Sequence, residues 1–438
     1  MNKCNKFLII LSLTFFQGYA QEQNALNGRT FWKFDLGSEN VSPGYLAVST
    51  ADSYSDERGY GFDFSSKPRL VSRKGKDPLR SDFVTSDRPF YFSVRVPEGN
   101  YKVTLTLGDS KLPTRTTVKA ESRRLMLENV EAKAGQHIRK SFIVNIKDRK
   151  ISPDREVGLK PRETTKLDWD NKLSLEFDSK TALNAIEIEK ADDQITVYLA
   201  GNSTVVNQEE EPWASWGQMI PRFFKPGLAI ANHAESGLSL GSFIASRRLE
   251  KILTVIKPGD YVFVEFGHND EKEKGPDDGP YKSYTERLKL FSKEIRAMKG
   301  NLVILTPTAR RSFDATGMMV NSHGEYPDAA RKVAAEEGVP LIDLTALTTR
   351  MYEALGPEGS KSAFVIYPEQ NLNDNTHFNP YGAYQIAKMV AQEIRGQNLP
   401  IAKYLVDMPA FNSAFPDPAS SFKWPPSPKV SAVKPDGN

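Results

Sequence analysis

Near Ala191-Asp-Asp-Gln194 the hydrophobic pattern of this chain changes period, and that change constrains the fold more than any single motif. Upstream, from about Arg29 to Lys190, apolar and polar residues alternate in short runs. Residues 90–96 and 101–107 are two period-2 runs around Pro-Glu-Gly-Asn, a pattern that predicts a β-hairpin. Further short runs at 30–36, 173–177 and 185–189, with turn residues between them, predict an all-β sandwich. Downstream, apolar strands are expected at 195–200, 228–232, 261–266, 302–306 and 340–344. Helical stretches are expected between them, at 213–224, 240–256, 284–298 and 327–337. A last helix is expected from Pro380, a residue suited to a first turn, to about Arg395. Repeated βα units require a parallel sheet covered on both faces.

The organisation expected is therefore a leader over 1–20, a β-sandwich over 21–192, an α/β domain over 193–405 and a proline-rich segment over 406–438. That last segment carries Phe411, Phe415, Phe422 and Trp424, an unusual aromatic load for a disordered tail, and is expected to lie on the body as an extended strap.

Lys3 and Lys6 precede a short apolar run at 7–16, and Gly18 and Ala20 offer small residues where a signal peptidase reads. The run is too short to span a bilayer, so cleavage before Gln21 and a periplasmic or extracellular protein are expected. The single cysteine, Cys4, falls inside that leader. A mature chain without cysteine has no disulfide, thiolate nucleophile or Cys-ligated zinc. Removing Lys3 and Lys6 from the 58 basic residues leaves a net charge near +1 against 55 acidic ones. With no arginine-rich stripe, this is not a nucleic-acid-binding balance.

Chemistry-bearing residues gather where strands are expected to end. Gly201-Asn202-Ser203-Thr204 follows the first, His233-Ala-Glu-Ser-Gly237 the second, and Gly267-His268-Asn269-Asp270 the third. Asp374-Asn-Thr-His377 precedes the last helix, on what reads as one tight loop. A serine hydroxyl is a poor nucleophile until an imidazole takes its proton, and that imidazole needs a carboxylate to fix its tautomer. Ser203, His377 and Asp374 meet those demands in the chain order Ser, Asp, His. The backbone N–H groups of Ser203 and Gly237 and the side-chain amide of Asn269 are natural donors to an oxyanion. His268, Asp270 and Glu271 suit a metal, but no second spaced pair of ligands supports a cage, so no metal or other cofactor is assigned. His137 and His323 read as ordinary polar residues.

Taken together, Gly201-Asn-Ser203-Thr, Gly237, Gly267-His-Asn269-Asp and Asp374-x-x-His377 resemble the four blocks of the SGNH (GDSL-type) hydrolases. Val197-Tyr-Leu-Ala-Gly-Asn-Ser-Thr204, Phe266-Gly-His-Asn-Asp270 and Asp374-x-x-His377-Phe are more closely similar to the rhamnogalacturonan acetylesterases, over about 195–405. The β-rich segment ahead of them resembles the galactose-binding-like sandwiches of some bacterial members. The resemblance implies a flavodoxin-like three-layer hydrolase domain with a parallel sheet. It implies Ser203 as nucleophile, His377 as general base and acid, Asp374 as its orienting residue, and Ser203, Gly237 and Asn269 as the oxyanion hole. One position departs from the family pattern: its usual aspartate before the serine is Asn202, which keeps an acceptor oxygen for the turn. The substrate implied is an acetylated pectic oligo- or polysaccharide. The same triad could act on another ester, such as a galacturonate methyl ester, and an inactive carbohydrate-binding protein is the reading from a different class.

Overall fold

The computed structural model describes residues 30–37, 41–73 and 75–436, and the expected leader lies outside them. The first unit is built from two facing sheets. One has seven strands, with His137–Ile146, Gly99–Gly108, Leu183–Lys190, Phe31–Leu36 and Leu46–Val48 in spatial order. The other runs Tyr60–Asp63, Phe90–Arg95, Lys172–Phe177, Thr114–Ala120, Arg124–Ala132. Alternate residues of both face one core: Trp32, Phe34, Tyr101, Val103 and Leu105 from the first, Phe90, Phe92, Val94 and Leu175 from the second.

The expected hairpin at 90–107 is not formed. Phe90–Arg95 pairs with Tyr60–Asp63 and Lys172–Phe177, whereas Gly99–Gly108 pairs with His137–Ile146 and Leu183–Lys190 in the opposite sheet. Period-2 alternation places a run on a half-buried sheet but does not choose its partner. Pro97, which has no N–H to give a ladder, stands where the chain crosses between sheets, and the Tyr101 hydroxyl donates to its carbonyl at 2.8 Å.

The second unit has a five-stranded parallel sheet in the order Leu228–Asn232, Ile195–Gly201, Tyr261–Glu265, Asn301–Leu305, Leu341–Ile342. In chain order this is 2-1-3-4-5, the flavodoxin-like arrangement. Each strand divides its side chains between two helical layers. Val197, Leu199, Phe263, Val303 and Leu305 pack with Trp216, Met351 and Ile386. Tyr198, Ala200, Val262, Val264 and Ile304 pack with Phe243, Ile252, Phe291 and Val333 on the other face. Both faces are buried, which is why these strands read as continuous apolar runs.

Several helices differ from expectation. The 240–256 stretch is two helices, Leu240–Ala245 and Arg248–Val255, broken where Arg247 takes φ 62°. The break carries Arg248 inward, where its guanidinium donates to the His233 carbonyl and to Glu163 of the first unit. Over 213–224 only a short helix, Trp216–Met219, and a 3₁₀ turn form. An unforeseen helix, Leu344–Gly359, starts at Asp343, whose carboxylate accepts from the Ala346 N–H.

Beyond Leu405 the chain is extended apart from a turn at 412–415 and a 3₁₀ turn at Ala419–Ser421. Phe422 packs near Tyr381 and Tyr384 and stacks on Trp424, while the Lys119 ammonium sits 4.3 Å from the Trp424 ring centre. Phe411 also packs on the core, but Phe415 is 79% exposed. Among the described residues no helix is long and apolar enough to cross a membrane. Phe291 is wholly buried in the outer helical layer, so Phe291→Ala is expected to destabilise the protein by about 3–5 kcal/mol in chemical denaturation.

Candidate active site

In a 2-1-3-4-5 sheet the crevice for a ligand opens beyond the carboxyl ends of the strands, where the strand order reverses. The turn after Ile195–Gly201 lies there and carries Ser203. Asn202 Oδ1 accepts from the Thr204 N–H at 3.0 Å, so the asparagine closes the turn through its side-chain oxygen. The Val205 and Val206 N–H groups both donate to the Asn202 carbonyl, and Gln208 Nε2 donates to the Ser203 carbonyl. Below the turn Glu265 is fully buried. It accepts from Trp216 Nε1 at 2.5 Å and from the Thr308 N–H, and it lies 2.9 Å from the Thr204 hydroxyl. Burial pushes its carboxyl up to about 7 against these hydrogen bonds.

Asp374 and His377 lie on a strand, Leu372–Phe378, rather than on a loop; it pairs antiparallel with Phe364–Tyr367. A bulge in that pairing accompanies a local geometry in which Asp374 folds back on the following residues. Its Oδ1 accepts from the N–H groups of Thr376 and His377, and its Oδ2 lies 2.8 Å from His377 Nδ1. Burial opposes ionisation of Asp374, but the hydrogen bonds and charge of His377 outweigh it, holding this carboxylate well below its ordinary range. The Trp213 ring meets the His377 ring at 89° with centres 5.8 Å apart. The same segment ties this strand to the serine turn: the Ala214 N–H donates to the Phe378 carbonyl and the Trp216 N–H to the Thr204 carbonyl. His377 Nε2 and Ser203 Oγ are both buried, and neither has a hydrogen-bond partner. An acceptor and a hydroxyl left unspoken for in a buried site are what proton transfer to a reacting group requires.

Gly237 has φ +76°, and a Cβ there would lie 2.9 Å from Lys160 Nζ and from Asp436 Cβ. Its loop is held from the first unit. Lys160 Nζ and Arg162 Nη2 each donate to the Ser236 carbonyl at 2.7 Å, while Arg162 Nε and Lys166 Nζ clamp the Glu235 carboxylate at 2.9 and 2.8 Å. Burial disfavours the Glu235 anion, but Lys166 and Arg162 more than offset this and lower its pKa. Among the described residues the N–H groups of Ser203 and Gly237 make no hydrogen bond. Asn269 Nδ2 donates to the Leu238 carbonyl at 3.0 Å, which fixes the amide and leaves its second N–H for a ligand. Asp270 braces this turn by accepting from the Gly267 and Leu240 N–H groups, and burial raises its carboxyl to about 7.

The remaining histidines serve other ends. His233 is buried between Trp169 and Tyr198 at the contact of the two units, and burial drives its pKa far down. His268 is likewise held neutral by burial, with its ring 4.4 Å from that of His323. His323, read as ordinary from sequence, is buried and lies 2.9 Å from the Thr308 carbonyl and 3.0 Å from Glu271. Glu271 also pairs with Arg310. Among the described residues no group of three or more His, Cys, Asp or Glu side chains is placed to hold a metal ion. A cavity of about 730 Å³ lies elsewhere, between the sandwich and the strap, lined by Phe64, Tyr91, Glu121 and Pro426.

Sequence reasoning did not find Glu235, Arg162, Lys166, Glu265 or Trp213. Glu235 sits inside the quoted His233–Gly237 cluster, and Glu265 is a lone carboxylate in an apolar strand; both were visible signals. Arg162 and Lys166 lie about seventy residues from their partner, and nothing local marks them.

A serine at the switch point of such a sheet, with an Asp–His pair ahead of the last helix, is an arrangement that serine hydrolysis in α/β folds can use. Residues 199–385 match the GDSL-like lipase/acylhydrolase family. Residues 32–152 match a family described as β-agarase/YXIM esterase-like, galactose-binding domain-like. Over 221 residues the chain is 42% identical to "Rhamnogalacturonan acetylesterase RhgT" of Bacillus subtilis (strain 168), covering 48% of this chain and 94% of that protein. Over 409 residues it is 28% identical to "Uncharacterized esterase YxiM" of the same organism, covering 90% of this chain and 97% of that one. The crystal structure of YXIM from Bacillus subtilis covers 84% of this chain and 99% of its own at 26% identity, with a TM-score of 0.46. The chain belongs to the GDSL-like lipase/acylhydrolase family and carries a galactose-binding-domain-like unit ahead of its catalytic unit.

The raised pKa of Glu265 has a consequence for stability. A carboxyl raised from 4.5 to about 7 in the fold contributes stability that is complete below pH 4.5 and is lost as the pH rises to about 7. The loss is on the order of 3 kcal/mol. Glu265→Gln is expected to flatten the fall of Tm over that window, leaving the part due to Asp270; thermal melts between pH 4 and about 8 check this.

Proposed function

We propose that this protein is an exported carbohydrate esterase that removes O-acetyl groups from pectic polysaccharide, with the rhamnogalacturonan backbone as substrate. The observation that carries the reading is the Asp374–His377 pair, 2.8 Å apart, with His377 Nε2 and Ser203 Oγ both buried and unpartnered. The acetyl and pectic assignments are supported by the identity with a protein named as a rhamnogalacturonan acetylesterase.

In the first half-reaction Ser203 Oγ attacks the acetyl carbonyl carbon while His377 Nε2 takes the hydroxyl proton. Asp374, held ionised, stabilises the imidazolium and keeps Nδ1 protonated. The charge on the carbonyl oxygen falls to the N–H groups of Ser203 and Gly237 and to Asn269 Nδ2. His377 then gives its proton to the departing sugar oxygen, and the acetyl group stays on Ser203. In the second half His377 draws a proton from water, whose oxygen attacks the acetyl-enzyme. Acetate leaves and Ser203 regains its proton.

Two measurements test the reading. The protein is expected to release acetate from acetylated rhamnogalacturonan faster than from acetylated xylan; methanol from methyl-esterified homogalacturonan, without acetate from any substrate, would overturn the assignment. Ser203→Ala is expected to fold normally and to lower acetate release by at least ~10³-fold. Asn269→Ala removes one oxyanion donor and is expected to lower kcat by about 10²–10³-fold.

A further inference from the structure

The strap does not stop at the edge of the catalytic unit. The Glu211 N–H donates to the Lys429 carbonyl and the Ser431 N–H to the Glu211 carbonyl, while Trp213 Nε1 donates to the Ser431 carbonyl. These bonds lay the strap beside the tryptophan that faces His377. Past them, Lys434 Nζ comes 3.3 Å from Asp374 Oδ2. Two residues further, Asp436 Oδ2 lies 3.1 Å from Arg162 Nη1 and 3.4 Å from Lys160 Nζ. A side chain on Gly237 would strike Asp436 Cβ as well as Lys160 Nζ. The end of the strap thus touches the triad acid and the oxyanion glycine at once.

Lys160 and Arg162 belong to the sandwich unit, between Arg155–Glu156 and Lys172–Phe177, and not to the catalytic unit, and they meet the carboxylate of a residue whose Cβ would lie 2.9 Å from a Cβ on Gly237. Both are already fixed by the Ser236 carbonyl, so their charges are preset rather than free to swing. Arg162 presents one edge to Glu235 and another nitrogen to Asp436. The Asp436 side chain is 58% exposed, so its ion pairs stand in water and a ligand can displace them.

We propose that Lys160 and Arg162 form a subsite for a sugar carboxylate beside the acetyl-binding position, and that Asp436 occupies it when no substrate is bound. The strap's tip is then a built-in competitor, and the subsite selects a uronic acid next to the acetylated sugar. This rests on the acetylesterase reading for the identity of the substrate, but it is tested without turnover.

Titration calorimetry of the full-length chain carrying Ser203→Ala, with trigalacturonate and neutral xylotriose as probes, decides it. Trigalacturonate is expected to bind at least tenfold more tightly than xylotriose. Adding Asp436→Asn is expected to tighten trigalacturonate at least fivefold, and adding Arg162→Gln to weaken it at least tenfold. Lys160→Gln, expected to weaken it in the same direction, stands in if the arginine variant does not fold. Equal binding of the two probes, or trigalacturonate binding unmoved by Asp436→Asn, overturns the proposal. Acetate release by the unmodified chain is scored separately: its absence together with the expected calorimetry would reject the ester and leave the subsite standing.

Discussion

Glu235 is the residue on which the arrangement of the site depends. It is buried, it belongs to the loop that ends in Gly237, and its carboxylate is held by Arg162 and Lys166 from a segment about seventy residues earlier. Buried ion pairs are poor sources of net stability, because desolvation opposes the attraction, but breaking one leaves a charge stranded at about 3–5 kcal/mol. Their effect here is geometric. The loop that carries Gly237 is positioned by charges of the sandwich unit, as well as by the sheet beneath it.

The same contact zone buries Leu125 of the sandwich among Trp216, Met219 and Phe223, and it is rich in polar contacts. Arg248 reaches Glu163, Lys147 lies 3.6 Å from Asp168, and Asn207 donates to both oxygens of Asp168 just beyond the serine turn. Trp169 lies across His233 and under the Lys147 ammonium. Directional contacts of this kind fix one relative placement of two units, where an apolar interface would tolerate sliding. The galactose-binding-domain-like unit is therefore part of the frame that holds the serine turn and the Gly237 loop.

Much of this was legible in the sequence, for reasons that can be stated residue by residue. The runs around Val197, Ile230 and Val262 are buried on both faces and read as apolar strands; Ser203, Gly237 and Asn269 stand beyond their ends, where polarity is conspicuous. What escaped was either ambiguous in pattern or tertiary in origin. Residues 90–107 alternate like a hairpin yet enter two sheets, because alternation records burial and not pairing. The Leu344–Gly359 helix has apolar residues at helical spacing, Leu344, Leu347, Met351 and Leu355, but its three threonines and Gly356-Pro357 dilute the signal. Asp374 and His377 read as loop residues because Asn-Asp-Asn is turn chemistry, and the short strand they join is set by its partner at Phe364–Tyr367. The clamps on Glu235 and the reach of Lys434 and Asp436 join residues 60 to 276 positions apart, and no local pattern encodes them.

The strap also returns to the sandwich. Lys119 donates to the Pro425 carbonyl and the Ser427 hydroxyl, and Ser427 donates to Glu176, so the far end of the chain is fastened to the unit from which the chain set out. Two units joined by one linker can bend at it; two units also laced together by the tail have lost that hinge. Mechanically the described residues form a closed loop, in which the tail ties the two blocks together a second time.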